Sequence, residues 1–175
     1  IDSFYENINS ICNSESLIET NSKIMNLIAS KTNFFLGGSA GLGLSCQTIL
    51  NGFEIMSSKQ PKAKNIRFGV RERAMSYILN GMSLFGLPVY GSTMLSFADE
   101  MKSGLRSCAM MNTFVTYIFT HDSLYSSEES SVRIPVEQLD MLRSIPNFYV
   151  YRPADIEEVM KYLTSVMRGE ATEEI

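Results

Sequence analysis

Between Asn65 and Asp99 the apolar period switches from that of a strand to that of a helix and back, and this switch restricts the fold more than any other feature. Ile66, Phe68 and Val70 alternate with polar or small residues, the spacing of a half-buried strand. The alternation stops at Arg71-Glu72-Arg73. From Ala74 the apolar residues take helical spacing, at Met75, Ile78, Leu79, Met82 and Phe85. Gly86 stands where a helix-ending glycine would, Pro88 forbids continuation, and Val89-Tyr90 open a second strand. Glu72 is thereby placed at the carboxyl end of a strand and the start of a helix. In open α/β sheets that is where ligands bind.

The rest of the chain repeats this alternation. Residues 1–32 read as helix, with Leu17, Ile18, Ile24, Met25, Leu27 and Ile28 as its apolar stripe and Ser/Asn-rich breaks near 9–14. Asn33–Leu36 reads as a short strand ending in a glycine-rich turn from Gly37 to Gly43, and residues 51–64 as a polar loop. Phe97–Met111 reads as a helix with Met101, Leu105, Cys108 and Ala109 inward. Thr113–Thr120 is a near-continuous β-branched and aromatic run of the buried parallel type, ending in His121-Asp122-Ser123. A serine-rich loop over Leu124–Ile134 follows, then a helix from Pro135 through Ile145, a strand at Phe148–Tyr151, and a helix over 156–168 capped by Asp155. The pattern predicts an α/β fold with a doubly wound, mostly parallel sheet and helices on both faces. The strand ends at Gly37–Gly43, Arg71–Glu72, Ser92–Phe97 and His121–Ser123 then share one edge.

At 175 residues and 45% hydrophobic the chain suffices for one domain with a proper core. A net charge of −4 argues against nucleic acid and anionic membrane as partners. Cys12, Cys46 and Cys108 form no C-x-x-C, and with a single histidine no zinc site is expected; three free thiols suit a reducing cytoplasm. The uncharged stretch Ala74–Ala98 is long enough to suggest a membrane span, yet its glycines, Asn80 and Pro88 fit helix, turn and strand better.

Single motifs leave the function open. Gly37-Gly38-Ser39-Ala40-Gly41 matches the G-x-S-x-G nucleophile elbow, but Leu42-Gly43-Leu44 is a poor helix start, and a plain tight turn explains the glycines as well. No P-loop Lys-Ser/Thr follows them. Glu72 alone reads as a first-turn charge favoured by the helix dipole, His121 as part of a polar turn, and Phe97 as core.

Taken jointly the motifs say more. IRFGVRERAM, NGMSLFG, VYGSTMLSFAD, YIFTHDS, PVEQLDMLRSIPN and YRPAD, in this order and spacing, resemble the central, pyrimidine-binding domain of the transketolase family over roughly Leu17 to Met167. The resemblance implies the thiamine-diphosphate-binding fold. It also implies transfer of a two-carbon ketol unit from a ketose phosphate to an aldose phosphate. It implies further that the glutamate of the family's REHAM motif, here Glu72, hydrogen-bonds a ring nitrogen of the cofactor's aminopyrimidine and is catalytic. Phe97 matches the stacking aromatic, His121 the sugar-facing catalytic histidine, and Ser45 a serine that helps hold the substrate phosphate.

Departures cluster at the same site. The family's GGSADL aspartate is Gly41, the REHAM histidine is Arg73, a pocket phenylalanine is Met94, and the pocket tyrosine is Glu100. In the following loop the family's aspartate is Glu129, and its substrate histidine is Arg133; Arg73 and Arg133 could supply a different phosphate grip. A buried, unpaired Glu100 would cost several kcal/mol, so a partner such as Arg71 or Arg73 is expected.

The diphosphate-and-metal motif of the family, which holds magnesium or calcium, is missing from residues 1–175. The resemblance therefore implies one domain of a longer chain, in a homodimer whose other subunit supplies the diphosphate-binding domain. Two readings follow. In one the chain is part of a transketolase-type enzyme, for which the retained Glu72, Phe97 and His121 speak. In the other it is a catalytically degenerate dimerisation or binding module, for which Gly41, Met94, Glu100 and Arg133 speak.

Overall fold

The structure, a computed structural model, describes residues 16–123 and 134–168. Ser16 starts the first helix by accepting the Glu19 N–H on its Oγ at 3.3 Å, and α1 runs Leu17–Lys31. Then come β1 (Leu36–Ser39), β2 (Asn65–Arg67), α2 (Glu72–Leu84) and β3 (Val89–Met94). A 3-10 turn at Leu95–Phe97 leads into α3 (Ala98–Met111), followed by β4 (Val115–Thr120), α4 (Gln138–Arg143) and α5 (Ile156–Arg168). Every ladder is parallel, in the order β2-β1-β3-β4. All four strands therefore end on one edge, as the alternation predicts.

Helices cover both faces. On one, Met75 and Leu79 of α2 and Met101 and Leu105 of α3 pack with Val89. On the other, Ile24, Met25 and Ile28 of α1 and Val159 of α5 pack with Phe35 and Tyr90. Asp155 caps α5 as expected, its Oδ1 accepting the Glu158 N–H at 2.9 Å. The uncharged Ala74–Ala98 stretch is the α2–β3 hairpin of helix and strand, and no helix among the described residues is long and apolar enough to cross a membrane.

Several expectations shift. Gly37 and Gly38 lie inside β1 rather than in a turn, because a Cβ at either would run into the Tyr90 or Ile66 carbonyl oxygen. Ser39 is the last residue of that strand; its Oγ donates to Ser92 O at 2.9 Å and accepts the Leu42 N–H, so no nucleophile elbow forms. The buried stripe of α2 is Glu72, Met75, Ser76, Leu79 and Asn80, not the all-apolar set, and Ile78 and Phe85 face outward. Small and polar residues make this contact. Gly104 lets α3 close on Ser76, and Asn80 Nδ2 donates to Gly104 O at 2.9 Å.

β4 is the outer strand and only half-buried. Phe148–Tyr151 forms no ladder beside it. Its side chains are held elsewhere: Tyr151 stacks on Tyr162 with centroids 4.7 Å apart, and the Phe148 ring tilts against Tyr117. A cavity of about 400 Å³ separates this segment from β4. Helix α4 starts at Gln138 rather than Pro135, because Gln138 Oε1 accepts the Val136 N–H and closes a turn ahead of it. The expected helix before residue 16, the breaks near 9–14, Cys12, and the loop bearing Glu129 and Arg133 lie outside the described residues.

Candidate functional site

After β1 the chain crosses to β2 on one flank, and after β3 it leads to β4 on the other. The carboxyl ends of β1 and β3 thus flank the point where the winding reverses, the crevice that binds ligands in such sheets. Gly41, Glu72, Phe97 and His121 all follow strand ends at this edge.

Glu72 is the first residue of α2. Gly69, at φ 68°, turns the chain after β2, and Arg71 Nη1 ties the turn by donating to Phe68 O at 2.9 Å. Only 7% of Glu72 is exposed, and its carboxylate has no hydrogen bond or ion pair among the described residues. The positive end of the helix dipole favours the charge there.

Two hydroxyls that the sequence did not single out join it. Thr93 is 0% exposed and, among the described residues, its Oγ1 has no partner; Ser96 Oγ is likewise buried and unpartnered there. Alternation along β3 puts Thr93 on the face of Gly91, whose hydrogen points at Met75 and Leu79 of α2. Two strand residues advance about 6.6 Å, and the three helix residues from Met75 back to Glu72 advance about 4.5 Å the same way. Thr93 therefore stands level with the first turn of α2. Ser96 belongs to the turn that ends in half-buried Phe97. Threonine in a strand reads as an ordinary β-former, so nothing in the sequence marks Thr93 as unpaired.

The other expected residues spread around this core. Met94 is buried and projects to the face of β3 opposite Thr93. Glu100 is exposed in the first turn of α3 and forms no ion pair among the described residues, so the expected burial cost does not arise. The expected partners are engaged elsewhere, Arg71 with Phe68 O and Arg73 Nε with Ser103 Oγ at 3.3 Å. Gly41 is exposed at φ 86°, a conformation its replacement by aspartate would strain. Ser45 is exposed in the turn over 43–47. That turn sits on a buried network: Thr48 Oγ1 pairs with Ser92 Oγ, and Tyr90 Oη donates to Thr48 O at 2.8 Å. Burial pushes the Tyr90 phenol far above its usual range.

His121 is half-buried at φ 56°, and its Nδ1 lies 2.9 Å from Thr120 Oγ1. Asp122 pairs with Arg152 at 2.6 Å on the surface beside it.

A sheltered carboxylate, two unsatisfied hydroxyls and a half-exposed aromatic ring at one strand edge fit a flat, nitrogen-bearing heterocycle. The ring would take the apolar surface, and its nitrogens the unused hydrogen bonds. Among the described residues no cluster of three metal-binding side chains stands near it.

The family model "Transketolase, pyrimidine binding domain" matches residues 16–172. The transketolase of Aquifex aeolicus is 42% identical over 139 residues, covering 78% of this chain and 20% of that protein. A probable transketolase of Streptococcus pneumoniae is 45% identical over 135 residues, covering 77% of this chain and 20% of that protein. Among solved structures, transketolase from Leishmania mexicana superposes with a TM-score of 0.84 at 31% identity, over 89% of this chain and 24% of that one. Transketolase from Campylobacter jejuni gives 0.82 at 33% identity, over 93% of this chain and 26% of that one. The chain spans about a fifth of the length of the curated relatives it matches.

Proposed function

Because the chain belongs to the transketolase family, as its pyrimidine-binding domain, we propose that it is part of an enzyme moving a two-carbon ketol unit from a ketose phosphate to an aldose phosphate with thiamine diphosphate. The observation that carries this reading is Glu72: a sheltered carboxylate, unpaired among the described residues, on a helix N-terminus at the binding edge of the sheet. When bound, thiamine diphosphate supplies the carbon that carries the two-carbon unit and takes up its electron pair.

The chain's own residues bind, orient and move protons. Glu72 holds the proton shared between its carboxylate and a pyrimidine nitrogen. Phe97 gives the ring a flat apolar face and excludes water from the carboxylate. Thr93 and Ser96 fill the remaining hydrogen-bonding positions. Gly41 and Glu100 border the same site, and Met94 lies behind it on the opposite face of β3. His121 faces the sugar hydroxyls, while Ser45 and Arg133 grip its phosphate.

The diphosphate, with magnesium or calcium, is held by a domain outside residues 1–175, on the other subunit of a homodimer. The single domain described here is then one piece of a longer polypeptide.

The test is Glu72→Gln in the full-length polypeptide, which keeps the shape and removes the charge. Ketose phosphate turnover should fall by about 10²-fold or more, the range lost with a proton-transfer group. Unchanged turnover in a folded Glu72→Gln protein would refute the role. A wild-type protein without turnover would favour the binding module.

A further inference from the structure

Between β1 and β2 the chain lays a short strap across the sheet. Cys46, Thr48 and Leu50 are buried, while Ser45, Gln47 and Ile49 beside them are exposed. Each buried residue meets a different strand. Cys46 Sγ lies 3.2 Å from Thr120 Oγ1 at the end of β4. Thr48 Oγ1 pairs with Ser92 Oγ of β3. The Leu50 N–H and carbonyl take both ends of the Asn65 amide on β2, at 2.9 and 2.8 Å. Residues 46–50 thus run over the α1 face of the sheet from β4 to β2.

The middle of the strap is its fixed point. Tyr90 Oη donates to Thr48 O at 2.8 Å, and since a carbonyl only accepts, the phenol is the donor. Tyr90 is 0% exposed, and its ring stacks on Phe35 with centroids 5.1 Å apart. Burial pushes its pKa far above the usual range, so the hydroxyl keeps the proton it donates. From Thr48 the anchoring passes back to the turn that carries Ser45. The Thr48 N–H donates to Gly43 O at 3.1 Å and the Cys46 N–H to Leu42 O at 2.8 Å. That turn needs an anchor, because Gln47 has φ 50°, a left-handed backbone that non-glycine residues hold only where their neighbours fix it.

We propose that Tyr90 is a positioning residue for the substrate phosphate: by holding Thr48 O it locks the strap whose leading turn presents Ser45, and it acts through Ser45 without touching the ligand. The phosphate role rests on the proposed function; the anchoring does not.

The test is Tyr90→Phe in the full-length polypeptide, which keeps the ring on Phe35 and removes only the hydroxyl. Hydrogen exchange of the Cys46, Gln47 and Thr48 amides, read by mass spectrometry, should quicken about fivefold, the share of one ordinary hydrogen bond, with α2 and β4 unchanged. The kcat/KM for a ketose phosphate should fall about fivefold through KM, with kcat kept and the same ketose without its phosphate turned over as before. In a Ser45→Ala background Tyr90→Phe should add nothing to that loss, because the two residues act as one unit. A merely structural Tyr90 would slow both ketoses alike and add its loss to that of Ser45→Ala, and either result would overturn the phosphate role. Unchanged exchange at the three amides would overturn the anchoring. A wild type without turnover would remove the proposed function and the phosphate role with it, while exchange still decides the anchoring.

Discussion

Replacing Thr93 by valine should make the chain more stable and its binding site worse. Thr93 is 0% exposed and its hydroxyl has no partner among the described residues, so the fold buries an unsatisfied polar atom. Such a group costs about 1–3 kcal/mol, and valine keeps the shape while removing it. For 175 residues, each kcal/mol shifts the melting temperature by about 2–4 °C. Thr93→Val should therefore melt several degrees higher. The control is Thr48→Val. Thr48 is equally buried but pairs with Ser92 Oγ, so its loss strands a partner and should destabilise by about 1–3 kcal/mol. Urea unfolding followed by far-ultraviolet circular dichroism measures both, with an unchanged slope confirming a pure stability effect. In the full-length polypeptide Thr93→Val should also weaken thiamine diphosphate binding about fivefold, the share of one ordinary hydrogen bond. A less stable Thr93→Val chain would show that the hydroxyl is already paired and refute the reasoning.

Further outcomes follow from the packing and the buried acids. Gly104→Ala would set a Cβ 2.6 Å from Ser76 Cβ and prise α2 from α3, costing about 1–3 kcal/mol; adding Ser76→Gly should recover most of it, as thermal melts would show. Burial raises the pKa of Cys46, Cys108 and Tyr117 above their usual ranges, so the fold holds all three neutral. The corresponding stability is fully present below the ordinary thiol range near about pH 8.5 and is lost as pH rises beyond it. The urea midpoint should thus be level between neutrality and pH 8 and fall progressively above, and a midpoint that climbs with alkali would contradict this.

The parallel sheet was legible because its signals are local. The change of period at Arg71–Arg73, the Gly86–Pro88 stop and the Thr113–Thr120 run each name an element from a few residues. The glycine run was misread because Gly37 and Gly38 exist for the closeness of β2 and β3, which no local pattern reports. The buried face of α2 was misread for a similar reason: Gly104 and Tyr117, distant in sequence, make Ser76 and Asn80 core residues. Phe148–Tyr151 has strand composition, but its rings are taken up by Tyr117 and Tyr162. At the site, Glu72 could be placed from a strand end and a helix start alone. Thr93, Ser96 and the Thr120–Cys46 link could not, since an unpaired hydroxyl and a pairing across 74 residues appear only once the chain is folded.

Calorimetric titration of the full-length polypeptide with thiamine diphosphate and magnesium, beside a Glu72→Ala variant, addresses the central claim most directly. The account predicts saturable binding that Glu72→Ala weakens by about tenfold or more, a charge-assisted hydrogen bond being worth roughly 1.5–3 kcal/mol. Equal affinity of the two proteins would contradict it, and so would a folded wild-type dimer that binds no cofactor.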